Sequence, residues 1–410
     1  MHALDYTPTL PGYAAARVLG GLRGGPLQLL RLNHRPAPEL PGDGWVRLRP
    51  RLSGICGSDL ACLDGHASPY LGALASPPFV LGHEIVADVV GGLQGLDEGT
   101  RVVVEPLLSC AVRGVRPPCP RCAAGEPQGC EAVAGEGLQA GLQIGFCSAT
   151  GGGWATELVA HRSQLHRVPD SLDDADAVMV EPLACALHAV LRSGATGRDS
   201  VLVLGSGTLG LLTLASLRHL ELGRRLIAVA KHDHQRSLAA SLGADTVTRP
   251  DALFRAVRYE TGARLVEDTL SGPFLLGGVD VCFECTGTAG GLRDAMACTR
   301  AGGTVVMVGM PGRVTVDLSL AWQRELVLRG AYGYGVESGG PAPARAADPP
   351  QRTFDLALTA ARALRPGRLV GAPFALADYR EAVATASAAG SRGAVKVTFA
   401  PQSDPPWSPA

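Results

Sequence analysis

The sequence has very few lysines, almost no net charge and no long hydrophobic run. Only two of its 410 residues are lysine, Lys231 and Lys396. With 37 basic and 38 acidic residues, the chain offers no electrostatic argument for binding nucleic acid or an anionic membrane surface. No apolar run approaches the ~20 residues that a membrane span requires. We therefore expect neither nucleic-acid nor membrane partners.

The cysteines indicate metal binding rather than disulfides. The first 17 residues have neither the basic start nor the apolar stretch of a signal peptide, so we expect an intracellular, cytoplasmic protein. In a reducing compartment, clustered cysteines are more often metal ligands than disulfide partners. Eleven cysteines are present, and four of them lie between residues 110 and 130. That distribution predicts a metal site.

Two styles of secondary structure follow one another along the chain. The first ~190 residues contain short alternating runs, such as Trp45–Arg49 and Ile85–Val89, which predict strands joined by turns. From Ser200 onward, continuous apolar runs such as Val201–Leu204 alternate with helical stretches such as 208–220. Such alternation builds a doubly wound parallel sheet. The predicted fold class is therefore α/β, with a β-rich part before it.

A glycine-rich hexamer follows the first buried strand and opens a helix. It has the pattern G-x-G-x-x-G and consists of Gly205, Ser206, Gly207, Thr208, Leu209 and Gly210. In this context the first glycine makes a tight turn, the second admits the pyrophosphate and the third lets the helix pack on the strand. The helix N-terminus offers free N–H groups to the phosphates. The motif predicts a dinucleotide cofactor.

The residue that selects between NAD and NADP normally lies about 20 positions beyond these glycines. Lys231 occupies that place in this chain. An acid there would repel a 2′-phosphate, whereas Lys231 together with Arg236 is suited to pair with it. We therefore predict that NADP is preferred over NAD. The alternative is that Asp233 accepts a hydrogen bond from the ribose and Lys231 stays in solvent.

Two candidate zinc ligands lie in glycine-flanked turns. Cys56 occurs in Gly-Ile-Cys-Gly-Ser-Asp and His83 in Gly-His-Glu. A thiolate and an imidazole are typical ligands of an exchangeable zinc site. Together with the cysteine cluster and the glycine-rich hexamer, these motifs resemble the zinc-dependent medium-chain alcohol dehydrogenases, especially their sorbitol and threonine dehydrogenase branch. The resemblance extends from about Val46 to Phe399.

The resemblance implies two domains with the active site in the cleft between them. A GroES-like catalytic domain would comprise residues 1–190 and 336–410, with a structural-zinc lobe at about 105–132. A Rossmann dinucleotide-binding domain would comprise residues 191–335. The Gly/Pro/Ala-rich stretch Glu337–Pro350 lies outside the resemblance and predicts a flexible connection or an insertion.

The same resemblance assigns the ligands of a catalytic zinc. Cys56 and His83 match the first two ligands of the family. Two carboxylates compete for the third position, Glu84 beside His83 and Glu181 in the run Val-Glu-Pro-Leu-Ala. We favour Glu181 as the third ligand, with Glu84 as its exchange partner.

Further roles are implied around both candidate sites. Asp59 resembles the acid that accepts a hydrogen bond from the ligating imidazole, and Ser58 resembles the hydroxyl that begins a proton relay. Many relatives have a histidine where this chain has Ala61, so the outer relay must take another route. The residues implied to line the nicotinamide are Thr286, Gly287, Val308 and Gly309.

The cysteine cluster resembles the structural zinc lobe of the family. Its candidate ligands are Cys110, Cys119, Cys122 and Cys130. The first ligand usually lies where this chain has Arg116, whereas Cys110 precedes an apparent insertion, Ala111–Pro118. Closing a few extra loop residues costs only fractions of a kcal/mol, so Cys110 remains a usable ligand. We predict a closed four-cysteine site; the alternative is three free thiols and an unrelated Cys110.

These features predict a zinc-dependent oxidoreductase with two zinc ions per chain. It would reversibly oxidise an alcohol, such as a polyol or amino alcohol, to a ketone or aldehyde with hydride transfer to NAD(P). One alternative is a zinc-free quinone or enone reductase, and another is a catalytically silent NADP-binding or redox-sensing protein. The substrate is expected to be a small alcohol or carbonyl compound. By resemblance, we expect a homodimer or homotetramer.

Overall fold

The computed structural model describes residues 1–19, 29–267, 272–337 and 350–403. Its contacts divide the chain into two compact units, one formed by Met1–Glu181 with Ala361–Ala410 and the other by Pro182–Ala360. Most of the predicted connection at 337–350 lies outside the described residues. The domain limits given above stay a prediction.

The strands are numbered in chain order. They are β1 (His2–Tyr6), β2 (Leu30–His34), β3 (Trp45–Gly54), β4 (Phe79–Val80), β5 (Ile85–Val90), β6 (Arg101–Val104), β7 (Leu158–His161), β8 (Leu165–Arg167), β9 (Ser200–Leu204), β10 (Arg225–Val229), β11 (Thr246–Thr248), β12 (Arg264–Val266), β13 (Phe274–Leu276), β14 (Val279–Glu284), β15 (Thr299–Met307), β16 (Val327–Gly330), β17 (Val336–Glu337), β18 (Gln351–Arg352) and β19 (Thr398–Phe399).

The α-helices are numbered in the same way. They are α1 (Leu10–Leu19), α2 (Gly57–Leu63), α3 (Pro69–Gly72), α4 (Cys110–Arg113), α5 (Pro120–Ala123), α6 (Asp174–Val178), α7 (Val180–Arg192), α8 (Thr208–His219), α9 (Asp233–Ser241), α10 (Leu253–Thr261), α11 (Ala289–Cys298), α12 (Ser319–Gln323), α13 (Thr353–Leu364) and α14 (Tyr379–Ser387). No helix in the described part of the chain is long and apolar enough to cross a bilayer.

The first unit is β-rich, as predicted. Its main sheet is antiparallel with the strand order β19-β3-β5-β6-β8, and β7 joins it by pairing with β3. A smaller antiparallel sheet has the order β2-β1-β4. Alternating apolar residues of the main sheet, including Leu48, Ile85 and Val102, meet in a buried cluster. The period of two along each strand therefore places one face of the sheet on the core.

The second unit contains the predicted doubly wound sheet. Six parallel strands have the order β11-β10-β9-β14-β15-β16. Counted within the sheet, this is the order 3-2-1-4-5-6 of a dinucleotide-binding fold. All five residues of β9 are buried, because helices cover both faces of such a sheet. The glycine-rich hexamer begins directly after β9 and continues into the first turn of α8.

Candidate functional site

Strands β3 and β5 bring two distant parts of the sequence together. β3 ends at Gly54, β5 begins at Ile85, and the antiparallel register pairs Ser53 with Ile85. Cys56 follows β3 as the N-cap residue of α2, and His83 lies in the turn just before β5. Because the two ends are neighbours in the sheet, the two predicted ligands converge.

Three side chains form the candidate catalytic metal site. One donor atom each of Cys56, His83 and Glu84 lies within 4.8 Å of the other two. Asp59 Oδ2 accepts a hydrogen bond from the Cys56 backbone N–H at 2.9 Å, and Asp59 Oδ1 lies 3.4 Å from His83 Nδ1. Burial disfavours the charged form of His83, but Asp59 and Cys56 raise the pKa of its imidazole well above the usual value. A thiol, an imidazole and a carboxylate form a donor set that fits zinc.

A buried lysine that the sequence analysis missed faces this site. Lys396, 2 % exposed, forms an ion pair with Glu84 and donates a hydrogen bond from Nζ to the Ile55 carbonyl oxygen at 3.1 Å. Burial opposes its charge, but Glu84 and then Cys56 raise the pKa of Lys396. A Cβ at Gly54 would overlap the Glu84 carboxylate, so glycine is required there. In the sequence, Lys396 stands out only because the chain has just two lysines.

The remaining predicted residues of this site lie on two helices. Glu181 occupies the first turn of α7, is 6 % exposed and is not part of the trio whose donor atoms lie within 4.8 Å of one another. Its carboxylate contributes to the raised pKa of Lys396. Ser58 lies half-buried in the first turn of α2, one position before Asp59. Their roles in ligation and proton transfer stay predictions.

The four clustered cysteines come together despite the insertion. One sulfur atom each of Cys110, Cys119, Cys122 and Cys130 lies within 4.8 Å of the others. The sulfurs of Cys110 and Cys130 are 3.6 Å apart. Zinc–sulfur bonds of about 2.3 Å place the sulfurs of a tetrahedral site about 3.8 Å apart. The donor set therefore fits a closed zinc site, and Cys110 belongs to it.

Backbone amides also point at these sulfurs. The N–H of Cys119 donates to Cys110 Sγ at 3.4 Å, and the N–H of Glu131 donates to Cys119 Sγ at 3.5 Å. Hydrogen bonds to a charged sulfur favour its thiolate form. For Cys119, burial opposes that form, but the hydrogen bonds to its sulfur lower its pKa to about 7. Burial, in contrast, raises the pKa values of Cys122 and Cys130, so the amides favour the thiolate form at Cys119 in particular.

The glycine-rich hexamer has the geometry that its motif predicts. Gly205 has φ of 95°, a left-handed conformation that a residue with a side chain rarely adopts. Gly207 is the N-cap of α8, with open space where a Cβ would lie. A Cβ at Gly210 would overlap the carbonyl oxygen of Gly205, so the helix packs closely on the turn. Ser206 Oγ donates to the Val229 carbonyl oxygen at 2.9 Å.

The predicted cofactor-selecting residues follow β10. Lys231 is exposed directly beyond the strand, and Asp233 begins α9. Arg236 forms an ion pair with Asp233 and donates from Nη1 to the Lys231 carbonyl oxygen at 3.2 Å. Arg236 thus draws the carboxylate of Asp233 to itself, while the ammonium group of Lys231 faces solvent. The choice between NAD and NADP stays a prediction.

A buried acid that the sequence analysis missed organises the segments implied to line the nicotinamide. Glu284, 1 % exposed, accepts hydrogen bonds from the N–H groups of Thr286 at 2.8 Å and Gly287 at 3.0 Å. Its backbone carbonyl accepts from the N–H groups of Val308 and Gly309, both at 2.9 Å. Glu284 therefore holds the two predicted segments side by side. The sequence feature that could have identified Glu284 is its position as an acidic residue at the end of the buried strand β14.

Comparisons with known proteins agree with both units. The profile of the alcohol dehydrogenase GroES-like domain matches residues 42–170, and that of the zinc-binding dehydrogenases matches residues 208–342. Sorbitol dehydrogenase of Gallus gallus is 30 % identical over 74 % of this chain and 79 % of its own length. L-idonate 5-dehydrogenase of Vitis vinifera is 28 % identical over 75 % of this chain and 78 % of its own length.

Solved structures share the fold. A zinc-binding dehydrogenase from Sinorhizobium meliloti 1021, bound to NADP, is 28 % identical with a TM-score of 0.68, covering 91 % of this chain and 96 % of that one. 2R,3R-butanediol dehydrogenase from Bacillus subtilis, 23 % identical, has a TM-score of 0.69 and covers 98 % and 99 %. The predicted combination of GroES-like and Rossmann folds is confirmed. The chain belongs to the zinc-dependent medium-chain alcohol dehydrogenase family.

Proposed function

We propose that this dehydrogenase reversibly oxidises a polyol or a similar alcohol to a ketone or aldehyde, with NAD(P) as the partner. The observation that carries the proposal is the convergence of Cys56, His83 and Glu84 in the unit that matches the GroES-like profile. The relatives named above are, by their names, sorbitol and L-idonate dehydrogenases. Their names favour a polyhydroxylated substrate for this chain as well.

Cys56 and His83, with Glu181 as the third ligand, are proposed to hold a catalytic zinc. A zinc ion bound there supplies a Lewis acid that lowers the pKa of the alcohol hydroxyl. Glu84 is proposed as the exchange partner of Glu181, because its carboxylate lies with the donor atoms of Cys56 and His83 and is paired with Lys396. The four-cysteine cluster is proposed to hold a second, purely structural zinc.

The chain's own residues would move the proton and orient the ligands. Ser58 would accept the hydroxyl proton of the alcohol and pass it towards solvent as the carbonyl forms. Asp59 lies beside His83 Nδ1 and favours the proton on that nitrogen, which leaves Nε2 as the metal donor. The bound nicotinamide supplies the hydride acceptor.

The proposed cofactor is NADP in preference to NAD. The backbone N–H groups of the loop Gly205–Gly210, at the start of α8, would hold the pyrophosphate. Lys231 is exposed and would approach a 2′-phosphate, whereas Arg236 would join it only by leaving its ion pair with Asp233. An ammonium group attracts a phosphate dianion and gains little from a neutral ribose hydroxyl.

We also propose that the protein forms a homodimer or homotetramer. β16 is the last strand of the parallel sheet, and all four of its residues are exposed. Val327 is 45 % and Leu328 36 % exposed, and Trp322 in the preceding α12 is 83 % exposed. An exposed edge strand with apolar side chains is suited to pair with another copy. This supports association through the β16 edge.

The proposal is tested by measuring zinc per chain and alcohol-dependent NADPH formation in the purified protein. We expect about two zinc ions per chain, with Cys56→Ala losing one of them and at least ~100-fold in alcohol oxidation. Cys62→Ala, in the helix that Cys56 caps, is the matched control and should keep both zinc ions and the wild-type activity. A protein without zinc that reduces enones would instead identify a zinc-free quinone or enone reductase.

A further inference from the structure

The insertion between Cys110 and Cys119 is a folded element. Its first residues belong to α4 (Cys110–Arg113), and Gly114 caps the end of this helix with φ of 67°. Arg113, the last residue of this helix, lies one turn from Cys110, so their side chains share a face of the helix. The sequence analysis treated 111–118 as added loop and did not consider Arg113.

Arg113 is buried, at 5 % exposure, and is held by carbonyl oxygens. Its Nε donates to Leu108 at 2.8 Å and its Nη2 donates to Gly141 at 2.6 Å. Three further carbonyl oxygens lie 3.0 to 3.2 Å from Nη1, those of Glu136, Leu138 and Gln139. The planar guanidinium therefore links the segment 136–141 to Leu108 and to α4.

The positive charge of Arg113 has no carboxylate within 4.0 Å among the described residues. Burial lowers the pKa of Arg113, and the groups that oppose this effect are, from the largest, Cys147, Cys130, Cys110 and Glu136. A buried cation without a nearby anion is unfavourable, because its hydration is lost without compensation. Two of the groups that favour the charged form of Arg113, Cys130 and Cys110, belong to the four-cysteine cluster, and Cys110 lies one turn from Arg113 on α4.

We propose that Arg113 is the counter-charge and a positioning residue of the zinc-bound four-cysteine site. This rests on the proposed structural zinc. Four thiolates around one zinc ion carry more negative charge than the ion neutralises, and Cys110 and Cys130 are only 1 % and 5 % exposed. The guanidinium offsets that buried negative charge, and the site in turn compensates the guanidinium. Each therefore stabilises the other.

The contacts of Arg113 connect the four-cysteine site to residues outside the lobe. The Leu108 N–H donates to the Leu142 carbonyl oxygen at 3.1 Å, next to the segment held by Arg113. Further along, the Phe146 ring lies 5.8 Å from the His83 ring. Loss of the structural zinc should therefore loosen 136–141 and the segment that packs on the candidate catalytic imidazole.

The test is the rate of zinc release from the full-length protein to the chelator 4-(2-pyridylazo)resorcinol. Cys122→Ser identifies the phase that belongs to the four-cysteine site. We expect Arg113→Met to accelerate that phase at least tenfold and to leave the other phase unchanged. Arg113→Lys, which keeps the charge but loses the planar donors, should be intermediate.

Arg121→Met is the matched control, because Arg121 lies between two ligands of the same lobe but is half-exposed and paired with Glu126 at 2.6 Å. Its release rate should stay within twofold of the wild type. Equal rates for Arg113→Met and Arg121→Met would overturn the inference alone. A wild type without a phase sensitive to Cys122→Ser would overturn the structural zinc and the inference together.

If Arg113→Met does not fold, a second measurement on the wild type tests whether the zinc site is coupled to the segment 136–141. Amide hydrogen exchange of the wild type is compared before and after the chelator removes the zinc. Exchange in 136–141 should accelerate at least tenfold, whereas unchanged exchange there would contradict the proposed coupling.

Discussion

The two lysines of the chain occupy opposite environments. Lys231 is exposed beyond β10, whereas Lys396 is buried against Glu84. A buried charge is stable only with a close partner, so removing one member of such a pair costs more than removing both. The single-residue changes with the clearest expected outcomes are therefore at these two positions.

Replacing Lys396 should destabilise the first unit. Lys396→Met leaves the Glu84 carboxylate buried without its cation, and we expect the free energy of unfolding to fall by about 3–5 kcal/mol. Urea unfolding of the metal-free protein, followed by tryptophan fluorescence, measures this. Trp154 is a suitable probe because its Nε1 donates to the Gly54 carbonyl oxygen at 3.0 Å. The double variant Lys396→Met/Glu84→Gln should recover most of the loss; a loss equal to that of the single variant would contradict a charge effect.

Reversing the charge of Lys231 should change the cofactor preference. Lys231→Glu places a carboxylate where a 2′-phosphate would bind, so we expect the Kd for NADP to rise at least ~10-fold while that for NAD changes little. Equilibrium binding by fluorescence quenching measures both constants. Arg255→Glu, the same change at an exposed position of α10, should leave them unaltered. Wild-type protein that binds NAD at least tenfold more tightly than NADP would refute the preference.

At the scale of elements, one carboxylate joins the starts of three neighbouring strands. Asp280 in β14 accepts hydrogen bonds from Ser200 N and Oγ at 2.7 and 2.8 Å in β9. It also accepts from Arg300 Nε at 2.7 Å in β15. Burial opposes its charge, but Arg300 and Ser200 together lower the pKa of Asp280 below its usual 3.8. The carboxylate therefore stabilises the parallel sheet in its ionised form.

Asp280→Asn should destabilise the second unit in a pH-dependent way. Because the folded pKa is depressed, the stabilisation is present above the unfolded value and is lost as pH falls through the folded one. We expect the variant to be less stable by about 1–3 kcal/mol, a difference that is constant between about pH 5 and 8 and shrinks below about pH 4. Urea unfolding across this range measures it. A difference that shrinks already between pH 5 and 8 would implicate a different group.

Some element boundaries can be predicted from the local sequence pattern, whereas others depend on pairing with a neighbouring strand. The helical pattern predicted 208–220, and α8 spans Thr208–His219. The strand predicted at Trp45–Arg49 instead continues to Gly54, because β3 passes Pro50 with an irregular register opposite β5. Proline removes a ladder hydrogen bond and locally ends the alternating signal, so only the partner strand reveals the continuation.

At the scale of the whole molecule, the edge of the parallel sheet should govern assembly. Leu328→Lys places a charge on the exposed edge strand β16, and we expect it to shift the protein to a smaller species, because a charge on a pairing edge opposes pairing. Size-exclusion chromatography with light scattering measures the mass. Leu276→Lys in β13, where the leucine is 42 % exposed, is the matched control and should assemble as the wild type does. An unchanged mass for Leu328→Lys would place the interface elsewhere.

The sequence by itself determined the family of the chain and the order of its elements. The close spacing of the four clustered cysteines and the resemblance at Cys56 and His83 predicted metal ligands, and the structure brings the donor atoms within each group to within 4.8 Å of one another. The hexamer Gly205–Gly210 was identifiable because its glycines meet steric demands within a single turn. The strand-helix alternation likewise predicted the parallel sheet.

Only the tertiary structure decided which charges meet. Lys396 reaches the carbonyl of Ile55, 341 positions away, because β19 pairs with β3. Arg113 is satisfied by carbonyls of a segment that follows it by more than 20 residues. The partner of a buried charge depends on sheet register and loop closure over long separations, and no local pattern encodes it.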